Sequence, residues 1–152
     1  EATAALHQML HDSPLDDAVM MDDFLKEIAS LLQDSAPDNV SISCEASPVA
    51  ISTSVASSIA VIVSEFVANS IKHAFVDSQS GHVAISGKSL ADGTLEITCE
   101  DNGDANPEST AAKTSASGLG KRIMKASASQ IGATLENGPG PKGYRMVLTL
   151  PG

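Results

Sequence analysis

The segment Glu65 to Phe75, E-F-V-A-N-S-I-K-H-A-F, constrains this 152-residue chain more than any other stretch, because it sets a carboxylate, a carboxamide and an ammonium on one side of an otherwise apolar helix. At about 100° per residue, Asn69 and Lys72 fall within roughly 40° of Glu65, so the three head groups can converge on one ligand. A carboxylate polarises water, an amide oxygen suits Mg²⁺ and a lysine suits phosphate oxygens, which points to a nucleotide-and-metal site. A polar stripe on a core helix has the same spacing, so the segment alone does not choose between the two.

Two later motifs add weight. Asp101-Asn102-Gly103 follows the alternating stretch Leu95 to Cys99, which puts an aspartate just past a strand end with a glycine two residues on. A carboxylate there can accept a hydrogen bond from an exocyclic amine, and the glycine lets a flat base approach the backbone. D-x-G is also an ordinary turn. Gly118-Leu119-Gly120 opens the helical run Lys121 to Ile131 and offers free amide N–H groups at a helix N-terminus, where phosphate binds readily. Each motif is weak alone; their order and spacing are specific.

The ordered set resembles the GHKL superfamily of ATPases and, within it, the catalytic ATP-binding domain of bacterial sensor histidine kinases, over roughly residues 19 to 152. Glu65 to Phe75 is similar to that family's N box, Asp101 to Gly103 to its G1 box, Gly118 to Gly120 to its G2 box, and Gly143 to Pro151 to its closing strand. The resemblance implies that Asn69 holds Mg²⁺ bridging the phosphates of ATP, with Glu65 beside it to orient water or assist proton transfer. It implies that Lys72 contacts phosphate, that His73 lies against the nucleotide, and that Asp101 binds the adenine amino group with Gly103 giving it room. Gly118, Leu119 and Gly120 would close over the triphosphate with Lys121 beside them, and Thr149 would support the adenine through water.

The chain departs from the family in places. His73, at about 80° from Glu65, falls in the apolar stripe of Val55, Ile59, Ile62 and Phe66, so a core histidine and a ligand contact both stay open. Ala105 stands where the G1 box has a second glycine, and Asp104 to Ser117 is a short lid rich in Ala, Ser and Thr with no aromatic anchor.

A net charge of −10 argues against a nucleic-acid partner. Residues 1 to 71 carry eleven acids against one base, Lys26, whereas residues 72 to 152 carry eight of each. Lys113, Lys121, Arg122 and Lys125 flank the proposed triphosphate site and can offset repulsion of an anionic nucleotide. No uninterrupted apolar run reaches the roughly 20 residues of a membrane span, and no signal peptide opens the chain. Cys44 and Cys99 lie on alternating strand patterns without CxxC spacing, which predicts buried free thiols in a reducing cytoplasm.

The periodicities predict a helix over Met20 to Leu32, strands around Val40 to Cys44 and Val49 to Ser52, the site helix Ser54 to Phe75, a hairpin of Val83 to Gly87 with Thr94 to Glu100, a third main helix Gly118 to Ile131, and a second hairpin of Ala133 to Glu136 with Tyr144 to Leu150. Three helices against one mixed, mostly antiparallel sheet make a two-layer α/β sandwich, the fold the resemblance also implies. Residues 1 to 17 read as the tail of a preceding helical dimerisation region plus a linker, and 18 to 152 as the catalytic domain. His11-Asp12-Ser13-Pro14-Leu15 resembles a phosphoacceptor box with the wrong spacing. The acceptor histidine is therefore expected on a separate helical partner domain, with a response regulator downstream. The alternatives are a degenerate, non-catalytic docking scaffold and a serine kinase of the anti-sigma type.

Overall fold

The computed structural model describes residues 18–74, 80–103, 118–140 and 143–151. The expected helical tail, His11, Ala105 and the lid lie outside the described residues.

Strand β1 (Ala18–Met20) leads directly into α1 (Met21–Ser35), and β2 (Val40–Ala46) follows. Strand β3 (Ala50–Ser52) then enters α2 (Thr53–Asn69), which continues as a π-helical segment, Ser70–Ala74. Strands β4 (Gly81–Ser89) and β5 (Leu95–Asp101) form the first hairpin, and α3 (Gly118–Gln130), β6 (Thr134–Pro139) and β7 (Tyr144–Leu150) complete the order. The five-stranded sheet runs β2-β4-β5-β7-β6, with β2 and β4 parallel and every other pair antiparallel. The expected sandwich is present. A two-stranded sheet of β1 with β3 is an addition that three-residue strands are too short to announce.

Alternation divides the sheet into two faces. Val83, Ile85, Ile97, Cys99, Asp101, Met146, Leu148 and Leu150 are buried under the helices, while Ser41, His82, Glu100 and Arg145 belong to the opposite face. On that outer face Ser41 Oγ and Ser43 Oγ lie 2.8 Å and 2.9 Å from the two ring nitrogens of His82. Helix α1 buries Met21, Phe24, Leu25, Ile28, Ala29 and Leu32, a stripe at helical spacing. It meets the sheet where Gly87 leaves room: a Cβ there would come within 2.8 Å of Leu25 Cδ1 and 3.2 Å of Met21 Cε.

Helix α2 is capped by Ser52, whose Oγ accepts from the Val55 N–H at 3.1 Å. It is apolar on most of its circumference because α1, α3 and the β1 and β3 strands pack around it, and Phe66 reaches Tyr144 of the main sheet. By length and composition the stretch Thr53–Lys72 could cross a membrane, with mean hydropathy 1.5, although the chain has no uninterrupted apolar run of that length. Half of that window is buried inside the domain, as a core helix requires. Helix α3 buries a narrow stripe, Gly120, Met124 and Ala128, of which Gly120 allows the close approach to α2. Cys99 is fully buried and free, as expected; Cys44, on edge strand β2, is only half-buried.

Candidate functional site

Glu65 and Asn69 lie one turn apart near the end of α2, both half-buried, and face the first turn of α3. A Cβ placed on Gly120 would lie 2.9 Å from Glu65 Oε2 and 3.9 Å from Asn69 Nδ2. The missing side chain at Gly120 is therefore what allows the carboxylate and carboxamide to sit against the N-terminus of α3. Backbone N–H groups of a first helical turn have no intrahelical partner and carry partial positive charge, which suits the Glu65 carboxylate. A bare phosphate beside that carboxylate would be repelled, and a divalent cation between them removes the repulsion. Asn69 and Glu65 offer hard oxygen donors of the kind Mg²⁺ takes. Among the described residues no group of three His, Cys, Asp or Glu forms a protein-only cage, so the donor set fits a metal that is held by one or two side chains and completed by phosphates and water.

The next residue along the chain serves a different cluster. Ser70, 4% exposed, donates from Oγ to Asp101 Oδ2 at 2.7 Å, and Asp101 is 2% exposed. Asp101 Oδ1 accepts from the backbone N–H groups of Gly103 and Tyr144, each at 3.1 Å. Three donors offset the cost of burying the carboxylate at the end of β5. Gly143 admits this arrangement, since a Cβ there would meet Asp101 Oδ1 at 2.7 Å and the Gly103 carbonyl at 2.8 Å. The Asp101-Asn102-Gly103 turn is pinned to β4 by Asn102, whose N–H donates to the His82 carbonyl at 3.1 Å and whose Oδ1 accepts from the His82 N–H at 2.8 Å. Tyr144 stacks on Phe66 of α2 with ring centroids 6.3 Å apart and donates its hydroxyl to Asn137 Oδ1 at 2.9 Å. Burial, and then the charge of Asp101, push the Tyr144 hydroxyl above its ordinary range.

Glu65, Asn69 and Gly120 thus form one cluster, and Asp101 and Gly103 form the other, joined through Ser70. Lys121 is half-buried in the first turn of α3, where Gly118 and Leu119 contribute backbone. Lys72 is exposed on the π-helical segment. The widened turn breaks the 100° spacing after Asn69, so the angle expected for Lys72 does not carry across it. His73 has its backbone in that segment; its side chain, like Lys113, lies outside the described residues. Thr149 is not brought to the site. Tyr144, Met146, Leu148 and Leu150 turn toward the helices, so Thr149 belongs to the opposite face, across from Glu96 and Thr134. It is five residues along β7 from Tyr144, about 17 Å. Its placement from the end of the strand misjudged which end of β7 meets Asp101.

Comparison with known proteins gives concordant results. The sequence profile of the family described as histidine kinase-, DNA gyrase B- and HSP90-like ATPase matches residues 54–152. Blue-light-activated histidine kinase 2 of Erythrobacter litoralis is 29% identical over 112 residues, covering 74% of this chain and 32% of that protein. The chain therefore spans about a third of the length of that curated relative. The histidine kinase domain of the blue-light-activated kinase EL346 from E. litoralis superposes with a TM-score of 0.81 at 23% identity, over 99% of this chain and 73% of that one, which shows a shared fold. The ATP-binding domain of PrrB from Mycobacterium tuberculosis gives a TM-score of 0.69 at 28% identity, over 90% of this chain and 98% of that one.

Proposed function

This chain belongs to the histidine kinase-, DNA gyrase B- and HSP90-like ATPases, and we propose that within that family it is the ATP-binding catalytic domain of a two-component sensor histidine kinase. In this reading residues 18 to 152 bind Mg-ATP in the cytoplasm, and the γ-phosphoryl passes to a histidine on a separate helical dimerisation domain, with a response regulator as the later acceptor. The observation that carries the reading is that consecutive residues of one helix, Asn69 and Ser70, face two chemically different clusters: a carboxylate and a carboxamide against a helix N-terminus, and a buried carboxylate suited to a base.

The roles follow from that division. Asp101 accepts from the adenine amino group and fixes the base. Asn69 would hold Mg²⁺, which would supply positive charge to offset that of the phosphates. Amides of Gly118 to Gly120, with Lys121 and Lys72, position the phosphates. The acceptor imidazole nitrogen would form the new P–N bond as the P–O bond to ADP breaks, and Glu65, beside Asn69, would orient water or assist the transfer of the proton the imidazole loses. Such transfer depends mainly on positioning and charge neutralisation. The names of the relatives, a histidine kinase and an ATP-binding domain, support the assignment.

The test is calorimetric titration with ADP and a non-hydrolysable ATP analogue, with and without Mg²⁺. Asp101→Ala is expected to weaken ADP binding by at least about tenfold, the loss of a hydrogen bond to a charged group. Mg²⁺ is expected to tighten the ATP analogue in the wild type and to lose that effect in Asn69→Ala. A folded sample that binds no nucleotide at millimolar concentration overturns the reading. With an acceptor domain added, an acid-labile phosphoprotein product marks histidine, and an acid-stable one marks the serine-kinase alternative.

A further inference from the structure

Strand β2 is an edge of the five-stranded sheet, with β4 as its one neighbour in the sheet order. In this parallel pair the odd-numbered residues of β2 face β4. The ends of the pair fix that phase: the Gly81 N–H donates to the Asn39 carbonyl at 2.8 Å, and the Ser47 N–H donates to the Gly87 carbonyl at 2.9 Å. Alternation therefore turns the N–H and C=O groups of Val40, Ile42, Cys44 and Ala46 toward the free edge. The Val40 N–H is taken by the Pro37 carbonyl at 3.0 Å. The next two groups are taken by one side chain of α1. Gln33 donates from Nε2 to the Val40 carbonyl at 2.8 Å and accepts at Oε1 from the Ile42 N–H at 2.7 Å. Its carboxamide thus offers β2 the donor and the acceptor that a neighbouring strand would offer. Among the described residues nothing bonds to the N–H groups of Cys44 and Ala46.

We propose that Gln33 is an edge guard: by occupying the outward groups at the start of β2, it keeps that strand from pairing with β2 of a second copy of this chain. An uncovered strand edge is a template for such pairing. Strand β2 has seven residues, Val40–Ala46, and a pairing strand usually has about five or six. With Gln33 in place, only the stretch from the Ile42 carbonyl to Ala46 stays open, which is shorter than that. Glu45, exposed on the same strand, and the net charge of −10 act in the same direction, because a second copy would bring like charges together. The proposal is independent of the nucleotide-binding reading.

The experiment is sedimentation of wild type, Gln33→Ala and Gln33→Ala/Cys44→Pro from micromolar to millimolar concentration, each variant first shown to melt cooperatively. Wild type is expected to keep the mass of one chain. Gln33→Ala should self-associate at least about tenfold more tightly, since two outward groups per copy are released for pairing. Cys44→Pro removes an outward N–H that β4 does not use, which an edge strand tolerates, and should return the Gln33→Ala chain to a monomer. Amide hydrogen exchange gives a second readout that needs no variant. In wild type the Ile42 N–H should exchange at least about tenfold more slowly than those of Cys44 and Ala46. In concentrated Gln33→Ala, protection should appear at Cys44 and Ala46. Equal masses of wild type and Gln33→Ala, with only a lower denaturation midpoint in the variant, would show a plain tie of α1 to the sheet and overturn the proposal. Self-association that survives Cys44→Pro would overturn it as well, as would a wild-type Ile42 amide that exchanges as fast as its edge neighbours.

Discussion

Tyr144 is the only tyrosine of a chain without tryptophan, so its spectrum reports one place, the wall of the cluster around Asp101. Its hydroxyl is held above the ordinary range first by burial and second by the Asp101 charge. The folded state thus disfavours tyrosinate. Stability from this group is fully present below the ordinary tyrosine pKa of about 10 and is lost as pH rises toward the folded value, because the unfolded chain then binds fewer protons. Tyrosinate absorbance in the native protein should titrate above the ordinary range and return to it in denaturant. A native midpoint at the ordinary value would mean that the ring does not sit beside Asp101. Neither Tyr144 nor Ser70 was legible in the sequence as a site residue, since serine and tyrosine carry no motif there; only the pairing of β5 with β7 and the π turn of α2 bring them to Asp101.

At the scale of elements, the legible parts were those fixed by periodicity. Helix α1 showed its stripe, β5 and β7 their alternation, and Glu65, Asn69, Asp101 and Gly120 their spacing, because local period and turn chemistry survive folding. What stayed hidden depends on register between distant segments. Thr149 has a strand pattern consistent with either direction of approach to the site, and only the pairing of Tyr144 beside Asp101 decides which end of β7 matters. Glycine is similarly ambiguous in sequence. Gly87 and Gly138 both lie in strands, yet a Cβ on Gly87 meets Leu25 and Met21, each fully buried, whereas one on Gly138 meets nothing within 4 Å. Gly87→Ala should destabilise the domain by about 1–3 kcal/mol through overpacking of α1 on β4. Gly138→Ala should stay within about 0.5 kcal/mol of wild type, as surface changes do. Chemical denaturation of the two variants checks this, and equal midpoints would show that α1 yields to the extra methyl.

At the scale of the whole molecule, the two thiols distinguish global opening from local opening. Cys99 lies in the middle of the core, 0% exposed, with burial pushing its thiol far above the ordinary range. Cys44 lies on edge strand β2 and is half-buried, its thiol raised by burial and partly lowered again by Lys26. Edge strands open with less free energy than central ones, so Cys44 should react with a thiol reagent through local fraying and Cys99 only through global unfolding. A ligand that binds the native state alone stabilises it by RT ln(1 + [L]/Kd), about 2.7 kcal/mol at a hundredfold excess over Kd. Nucleotide at that excess and fixed pH should therefore slow Cys99 labelling about a hundredfold while leaving Cys44 within about twofold, because β2 lies at the far side of β4 from the Asp101 strand. Mass spectrometry of the labelled protein resolves the two rates. If Cys99 is protected far less than this, the core opens without releasing nucleotide, and the site cluster and the sheet are separate cooperative units. If Cys44 gains the full protection as well, β2 unfolds only with the rest, and the parallel β2·β4 pair is as firmly part of the cooperative core as the antiparallel strands beside it.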